Sequence, residues 1–132
     1  MTQVAALLDR TILYVEDNLD TGELVRAVLS TLGYETTVVT NLSEARERIG
    51  ASQHFTMYLI DVRLPDGSGI DLCRWIRESD STTPIAVYSA NPTYMAEALS
   101  AGAQAFVPKS GDIELLESTV QRLASKDSIV RP

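Results

Sequence analysis

Five short apolar runs alternate along this chain with segments in which apolar residues recur at three- and four-residue spacing. The runs are continuously apolar, a pattern typical of parallel strands that are covered on both faces. Crossovers between parallel strands are nearly always right-handed. The alternation therefore predicts an α/β fold, with a doubly wound five-stranded parallel sheet and five helices. The predicted strands are residues 11–15, 36–39, 55–60, 85–88 and 105–108.

The segments between the strands carry helix caps and stops. Asn41 with Glu44 forms a capping pair before the second helix, which ends at Gly50. The other predicted helices are residues 19–32, a helix after the turn at residues 65–69, and residues 93–101 and 112–124. Their apolar faces are predicted to contain Leu24, Val25, Val28 and Leu32 in the first, Leu72, Cys73 and Ile76 in the third, Met95, Ala98 and Leu99 in the fourth, and Ile113, Leu116, Val120 and Leu123 in the fifth.

Length and charge narrow the class of protein. The chain has 132 residues, which fits one domain with its own core, predicted at residues 10–125. Residues 1–9 are then an N-terminal extension and residues 126–132 a C-terminal tail. A net charge of -7 argues against direct binding to nucleic acid, which needs a basic surface. It suits a bound cation or a basic protein partner.

Other classes are disfavoured by what the sequence does not contain. The apolar runs are too short to span a membrane, and residues 1–9 do not have the pattern of a signal peptide. Cys73 is the single cysteine, so no intrachain disulfide can form. The sequence therefore predicts a cytoplasmic protein without a membrane segment. Cys73 is expected in the core, Trp75 partly exposed and His54 on the surface.

Five polar side chains stand where the predicted strands end. They are Glu16 and Asp17, Asp61, Ser89 and Lys109. The carboxyl ends of parallel strands meet at one edge of the sheet, where such folds bind their ligands, so these side chains should share one pocket.

Three carboxylates in one pocket predict a cation. They would repel one another and raise each other's pKa unless a positive charge intervened. Mg2+ suits such oxygen ligands, and it would keep Asp61 ionised and able to act as a nucleophile. The Lys109 ammonium and the Ser89 hydroxyl are suited to contact the oxygens of a phosphoryl group. The residues alone therefore predict a phosphoryl site.

Four segments make the chain resemble a receiver domain of response regulators, CheY-like in size and layout, over about residues 10 to 125. They are the Leu-Tyr-Val-Glu-Asp-Asn of residues 13–18, the Leu-Ile-Asp-Val-Arg-Leu-Pro-Asp-Gly-Ser-Gly of 59–69, the Val-Tyr-Ser-Ala of 87–90 and the Gly-Ala-Gln-Ala-Phe-Val-Pro-Lys of 102–109. The resemblance implies the flavodoxin-like strand order 2-1-3-4-5.

The resemblance also implies a role for each site residue. Asp61 would be the phosphoacceptor. Mg2+ would be held by Asp17, by Asp61, by Glu16 through water, and by the backbone carbonyl of Arg63.

Further roles follow from the same resemblance. Ser89 and Lys109 would contact the phosphoryl group. Ser89 and Phe106 would form the switch, although a half-buried core aromatic is about as plausible a reading of Phe106. Arg63 and Asn91 would tune the rates of phosphorylation and dephosphorylation.

A function in two-component signal transduction is implied in turn. A histidine kinase or histidine phosphotransfer protein would donate the phosphoryl group, and the change would repack the surface of the fourth helix, fifth strand and fifth helix. An effector domain or protein partner would read that surface, in transcription, enzyme control or a phosphorelay, and a homodimer is compatible with it. Such a domain catalyses its own phosphorylation and dephosphorylation but turns over no small molecule.

The sequence departs from the family pattern at three positions. Ser110 follows Lys109 where proline is common, which puts the usual cis peptide there in question. Phe106 replaces the commoner tyrosine, and Arg63 stands where methionine is frequent.

Three rival functions fit the sequence less well. A degenerate receiver, acting as a constitutive protein-interaction module, would lack one of the site residues, and all are present. A flavodoxin-like cofactor site would need a phosphate-binding loop where Glu16 and Asp17 stand. A haloacid-dehalogenase-like phosphatase would need an aspartate at the position of Arg63.

Overall fold

The computed structural model describes residues 10–51 and 53–128, with side chains up to residue 125. Its main sheet has five parallel strands in the order β2-β1-β3-β4-β5, which confirms the predicted architecture and strand order. The strands are β1 (Thr11–Val15), β2 (Glu35–Val39), β3 (Met57–Ile60), β4 (Ile85–Ser89) and β5 (Ala105–Pro108). Residues 1–9 of the predicted extension lie outside the described part of the chain.

Helices connect the strands, as the alternation predicts. In the described residues they are α1 (Leu19–Thr31), α2 (Leu42–Gly50), α3 (Gly69–Arg77), α4 (Met95–Ser100) and α5 (Ile113–Ser128). A small hairpin, Arg63–Leu64 with Gly67–Ser68, forms between β3 and α3, and a 3-10 turn, Pro92–Tyr94, precedes α4. No helix in residues 10–51 and 53–128 is long and apolar enough to cross a membrane.

The sheet separates two apolar clusters. One face, covered by α1 and α5, buries a set that includes Tyr14, Leu29 and Val120. The other face, covered by α2, α3 and α4, buries a set that includes Ile60, Cys73 and Ala98. Burial on both faces explains why the strands read as continuous apolar runs.

Two helix faces differ from the prediction. In α1 the buried residues are Gly22, Val25 and Leu29, whereas Leu24 is 59% exposed. Val25 and Leu29 are four residues apart and share one side of the helix, and Leu24 lies about 100° away from Val25. In α5 the prediction holds for Leu116, Val120 and Leu123 but is wrong for Ile113, which is exposed at the first turn.

The prediction for α4 is also wrong in its rotation. Met95 is 49% exposed and Leu99 is 45% exposed, while Tyr94 packs against the core and Ala98 is fully buried. A 3-10 turn has three residues per turn instead of 3.6, so it changes which side chains of the following helix face inward. The sequence signals for that turn are Asn91, which caps it, and Pro92.

Polar side chains at the helix starts fix the loops. The Asn41 side chain accepts a hydrogen bond from the Glu44 N–H at 2.8 Å, as the capping pair predicts. The carboxylate of Asp66, in the hairpin, also caps α2 by accepting from the N–H groups of Leu42 at 2.8 Å and Ser43 at 3.1 Å. These backbone bonds hold the pKa of Asp66 below its ordinary value. Asp66 therefore ties the loop after β3 to a neighbouring helix.

Candidate functional site

Backbone hydrogen bonds hold the polar residues at the strand ends together at one edge of the sheet. The N–H of Glu16 donates to the Val39 carbonyl at 2.9 Å, and the N–H of Asp61 donates to the Val15 carbonyl at 3.0 Å. The N–H of Lys109 donates to the Ser89 carbonyl at 2.9 Å. The strand pattern thus extends one residue past each strand, which fixes the direction in which each functional side chain leaves the sheet.

The ammonium of Lys109 lies between two carboxylates. Its Nζ is 2.5 Å from Oε1 of Glu16 and 3.0 Å from Oδ2 of Asp61. It also lies 5.5 Å from the ring centroid of Tyr88. Burial lowers the pKa of Lys109, but the hydrogen bonds and charges of Glu16 and Asp61 outweigh burial and raise it above its ordinary value. Lys109 therefore stays protonated as a cation between these two acids.

Glu16 is almost completely buried, at 1% exposure, and is held by three donors. Besides Lys109, the hydroxyl of Tyr14 donates to its Oε1 at 2.8 Å and the N–H of Asn18 donates to its Oε2 at 3.1 Å. Burial opposes ionisation, but these bonds prevail and lower the pKa of Glu16. The carboxylate is therefore ionised and fixed in orientation.

Tyr14 is a site residue that the sequence analysis missed. It is fully buried, and burial first, then the charge of Glu16, raises its pKa above the ordinary value, so it remains a donor. A signal for it exists in the sequence. Residues two apart in a strand point to the same face, and Tyr14 is two residues before Glu16 in a strand of otherwise aliphatic residues and threonine.

Asp61 is 8% exposed and less easily ionised than a free aspartate. Burial raises its pKa, the Lys109 charge opposes this, and the nearby Glu16 charge raises it further, with a net increase. Its Oδ1 accepts the N–H of Val62 at 2.8 Å. A further cation in this site would favour the ionised form of Asp61.

Three carboxylates come together at this edge. Glu16, Asp17 and Asp61 each offer an oxygen, and these oxygens lie within 4.8 Å of one another. Asp17 is exposed, and the first helix is capped by Asn18, whose Oδ1 accepts the Thr21 N–H at 2.9 Å. Asp17 is thus not the capping residue of α1. An all-oxygen donor set with one solvent-facing member fits Mg2+, which keeps several waters when bound.

A cavity of about 330 Å³ opens beside the acids and the lysine. Its lining consists of Asp61, Arg63, Ser89, Ala90, Asn91, Pro92 and Lys109. Ser89 is 3% exposed and its Oγ accepts the N–H of Asn91 at 3.2 Å, which leaves the hydroxyl proton available to donate. Asn91 caps the 3-10 turn by accepting the Thr93 N–H at 3.0 Å.

The remaining predicted positions lie near this cavity or on the sheet edge beside it. Arg63 is exposed and lines the cavity. Phe106 is half-buried and packs against the core on the α4 side of the sheet, where β5 pairs Phe106 with Val87. The described backbone has no cis peptide bond, so the bond between Lys109 and Ser110 is trans.

The parallel sheet carries an acidic cluster and a lysine at its carboxyl edge, and comparison with protein families identifies the class of domain. The model of the response regulator receiver domain matches residues 12–121. The chain belongs to the response regulator receiver domain family, and it is therefore a module of two-component signal transduction.

Curated relatives are response regulators that are longer than this chain. The response regulator protein PilR of Pseudomonas aeruginosa is 37% identical over 110 residues, which cover 82% of this chain and 24% of that protein. The regulatory protein LuxO of Vibrio cholerae is 31% identical over 116 residues, covering 86% of this chain and 25% of that protein. The chain thus spans about a quarter of the length of these two relatives.

Solved structures agree with the fold. The response regulator TrrA of Thermotoga maritima, solved in complex with Mg(2+)-BeF, is 26% identical with a TM-score of 0.81, covering 86% of this chain and 98% of that one. A CheY-like receiver domain protein of Methanospirillum hungatei is 20% identical with a TM-score of 0.83, covering 91% of this chain and 97% of that one. The second match supports the fold alone.

Proposed function

We propose that Asp61 is the phosphoacceptor of this receiver domain and takes its phosphoryl group from a histidine kinase or a histidine phosphotransfer protein, in a reaction that needs Mg2+. The observation that carries the proposal is the position of Lys109 Nζ, in contact with both Glu16 and Asp61 beside a third carboxylate. A lysine and three acids gathered at one edge of the sheet match what phosphoryl transfer requires, namely positioning and neutralisation of charge.

The transfer would be a single displacement. A carboxylate oxygen of Asp61 attacks the phosphorus of a phosphohistidine, a P–O bond forms and the P–N bond breaks. The bonding electron pair goes to the imidazole nitrogen, which takes a proton from solvent. The product is an aspartyl phosphate, and hydrolysis by water would later restore the carboxylate. The domain would thus catalyse its own modification and its reversal, without turnover of a small molecule.

Asp17, Asp61 and the backbone carbonyl of Arg63 would hold Mg2+ directly, and Glu16 would do so through water. The exposure of Asp17 and the 4.8 Å spacing of the acidic oxygens support this assignment. When bound, Mg2+ would neutralise charge on the phosphoryl oxygens and keep Asp61 ionised. The complex of the relative TrrA with Mg(2+)-BeF supports the choice of metal.

Ser89 and Lys109 would contact the other phosphoryl oxygens. The Ser89 hydroxyl has a proton to donate, since its oxygen already accepts from Asn91. Lys109 would exchange its contact with Asp61 for one with the transferred group. Both side chains line the same cavity as Asp61, which has room for a phosphoryl group at about 330 Å³.

The output would be a shift of the α4–β5–α5 surface. Ser89 leads directly into the loop before α4, and Phe106 on β5 is only half-buried, so Phe106 can change position at a lower cost in packing than a fully buried side chain. The exposed apolar side chains Met95, Leu99 and Leu115 give this surface its contact area for an effector domain, a partner protein or a second copy. Transcription, enzyme control and phosphorelay are all outputs of this kind. Arg63 and Asn91, at the cavity lining, would tune the reaction rates.

The test is intact mass after incubation with a small-molecule phosphodonor, with and without Mg2+, for wild type and Asp61→Asn. We expect one phosphoryl adduct on the wild type that requires Mg2+, and none on the variant. An adduct that persists in Asp61→Asn would reject Asp61 as the acceptor. The absence of any adduct on folded wild type with several donors would favour a degenerate receiver that acts as a constitutive interaction module.

A further inference from the structure

The hydroxyl of Tyr14 provides Glu16 with a donor that does not take part in the proposed reaction. It donates to Glu16 Oε1 at 2.8 Å, on the same oxygen that accepts from Lys109 at 2.5 Å. The Tyr14 side chain is fully buried on the face covered by α1 and α5, and its ring lies 6.4 Å from that of Tyr88. Packing on this face therefore fixes the hydroxyl in place.

The other two donors to Glu16 are not equivalent to Tyr14. Asn18 contributes a backbone N–H to Oε2, which is the other carboxylate oxygen. Lys109 also contacts Asp61 and is the residue expected to turn toward the phosphoryl group. If Lys109 also releases Glu16 as it turns, Oε1 keeps a single donor, the Tyr14 hydroxyl. A buried carboxylate without a donor on one oxygen would lose its fixed orientation, because unpaired buried charge is costly.

We propose that Tyr14 is a positioning residue, whose hydroxyl holds the Glu16 carboxylate in the orientation that Mg2+ needs whether or not Lys109 contacts it. The inference rests on the proposed function, since it assigns Tyr14 a part in the same metal site. Outer partners of metal-binding groups act in this way, and their loss weakens metal binding about 10–100-fold.

The test is a calorimetric titration of the whole chain with MgCl2 at low temperature. It is carried out on wild type, Tyr14→Phe and Tyr34→Phe. Tyr34 is a matched control, because it is a buried tyrosine (7% exposed) in the same apolar cluster but lies next to Arg10. Each substitution removes one hydroxyl and keeps the ring. Thermal melting verifies that both variants are folded at the titration temperature.

We expect the dissociation constant for Mg2+ to rise about tenfold in Tyr14→Phe, the lower end of that range, and to change less than about twofold in Tyr34→Phe. In the phosphodonor assay the Mg2+ concentration for half-maximal rate should rise by a similar factor, while the rate at saturating Mg2+ stays within about twofold of wild type. A general loss of stability would not produce this separation between metal affinity and maximal rate.

Mg2+ affinity in Tyr14→Phe equal to wild type, or equal weakening in both variants, would overturn the inference. A fall in the saturating rate without a change in Mg2+ affinity would also contradict it. Failure of the wild type itself to bind Mg2+ or to form the adduct would reject the proposed function instead, so the two failures are distinguishable.

Discussion

Gly69 lies against the backbone of Asp61, so closely that a Cβ at Gly69 would be 1.9 Å from the Asp61 carbonyl oxygen. The first residue of α3 is thereby packed onto the loop that carries the proposed phosphoacceptor. The N–H of Gly69 donates to the Val62 carbonyl at 2.8 Å, which holds the two segments together. A side chain cannot enter this contact unless the loop moves.

Gly69→Ala should destabilise the domain by about 3 kcal/mol or more. Overpacking against side chains alone costs about 1–3 kcal/mol, and here the obstacle is backbone. Gly50→Ala is the control, because a Cβ at Gly50 meets nothing within 4 Å and alanine favours a helix by up to about 1 kcal/mol. Urea denaturation of both variants measures the difference. Equal stability of the two would contradict the close contact.

Lys109→Met should destabilise the Mg2+-free domain by about 1–3 kcal/mol at neutral pH. Removal of one partner of a buried ion pair costs about 3–5 kcal/mol, and the partial exposure of Lys109, 21%, reduces this. The folded-state pKa of Asp61 is already raised, and loss of the lysine raises it further. A carboxyl group whose pKa is higher in the folded state than in the unfolded state contributes stability below its unfolded-state pKa. This contribution is lost as the pH rises through its folded-state pKa.

The loss of folding stability caused by Lys109→Met should therefore be larger at pH 7 than near pH 4. Chemical denaturation at several pH values measures this loss. Combination with Asp61→Asn should remove much of the pH dependence, because the variant then lacks one of the two facing acids. A deficit that is the same at every pH would show that Lys109 stabilises the fold by packing and not by charge.

Asp80→Ala should lower the free energy of unfolding by about 1 kcal/mol at neutral pH, because Asp80 accepts hydrogen bonds that order the loop before β4. Its carboxylate accepts the N–H groups of Thr82 and Thr83, each at 3.0 Å, and the Thr83 hydroxyl at 2.6 Å. Burial opposes ionisation, but the Thr83 hydroxyl and these N–H groups prevail and lower the pKa of Asp80.

A lowered pKa gives stability that is present above the unfolded value, about 3.9 for aspartate, and is lost as pH falls through the folded value. The stability gap between wild type and Asp80→Ala should therefore narrow on acidification below about pH 4. Asp80→Asn is the control, because it keeps an acceptor oxygen that does not titrate. A gap that widens in acid would contradict the assignment.

Arg77→Met should destabilise the domain by about 2 kcal/mol, whereas Arg74→Met on the same helix should change stability by less than about 0.5 kcal/mol. The Arg77 guanidinium donates to the Gly102 carbonyl at 3.0 Å and to the Asp80 carbonyl and the Gln104 side chain, both at 2.9 Å. Arg74 forms exposed ion pairs on the surface. Thermal melting of both variants gives the comparison, and similar losses would disprove the special position of Arg77.

The sheet could be predicted from sequence because burial on both faces makes each strand a continuous apolar run. The polar residues that close those runs were equally visible, which is why Asp61 and Lys109 could be placed on one edge. The rotation of each helix about its own axis was harder to predict from the sequence. Leu24 was predicted in the core in place of Leu29, since a leucine at either position fits an approximate helical spacing and only packing against β2 decides between them.

Contacts between distant segments were beyond sequence reasoning. The second cap of α2 comes from Asp66, which is 24 residues away from Leu42.

The bond from Tyr14 to Glu16 could have been predicted, because strand geometry places the two residues on one face. A buried tyrosine is first interpreted as a core residue, however. Its hydroxyl gains a role only once Glu16 is known to be buried beside it.

The ion pair between Lys109 and Glu16 joins residues that are 93 positions apart in the chain. Closing so long a loop has an entropic cost that is met only when the strands between them are in place. The acidic site is therefore completed by the last strand of the sheet, and a nascent chain that ends before β5 lacks the lysine that lies between Glu16 and Asp61. During synthesis, the site would therefore acquire its lysine only when the fold is complete.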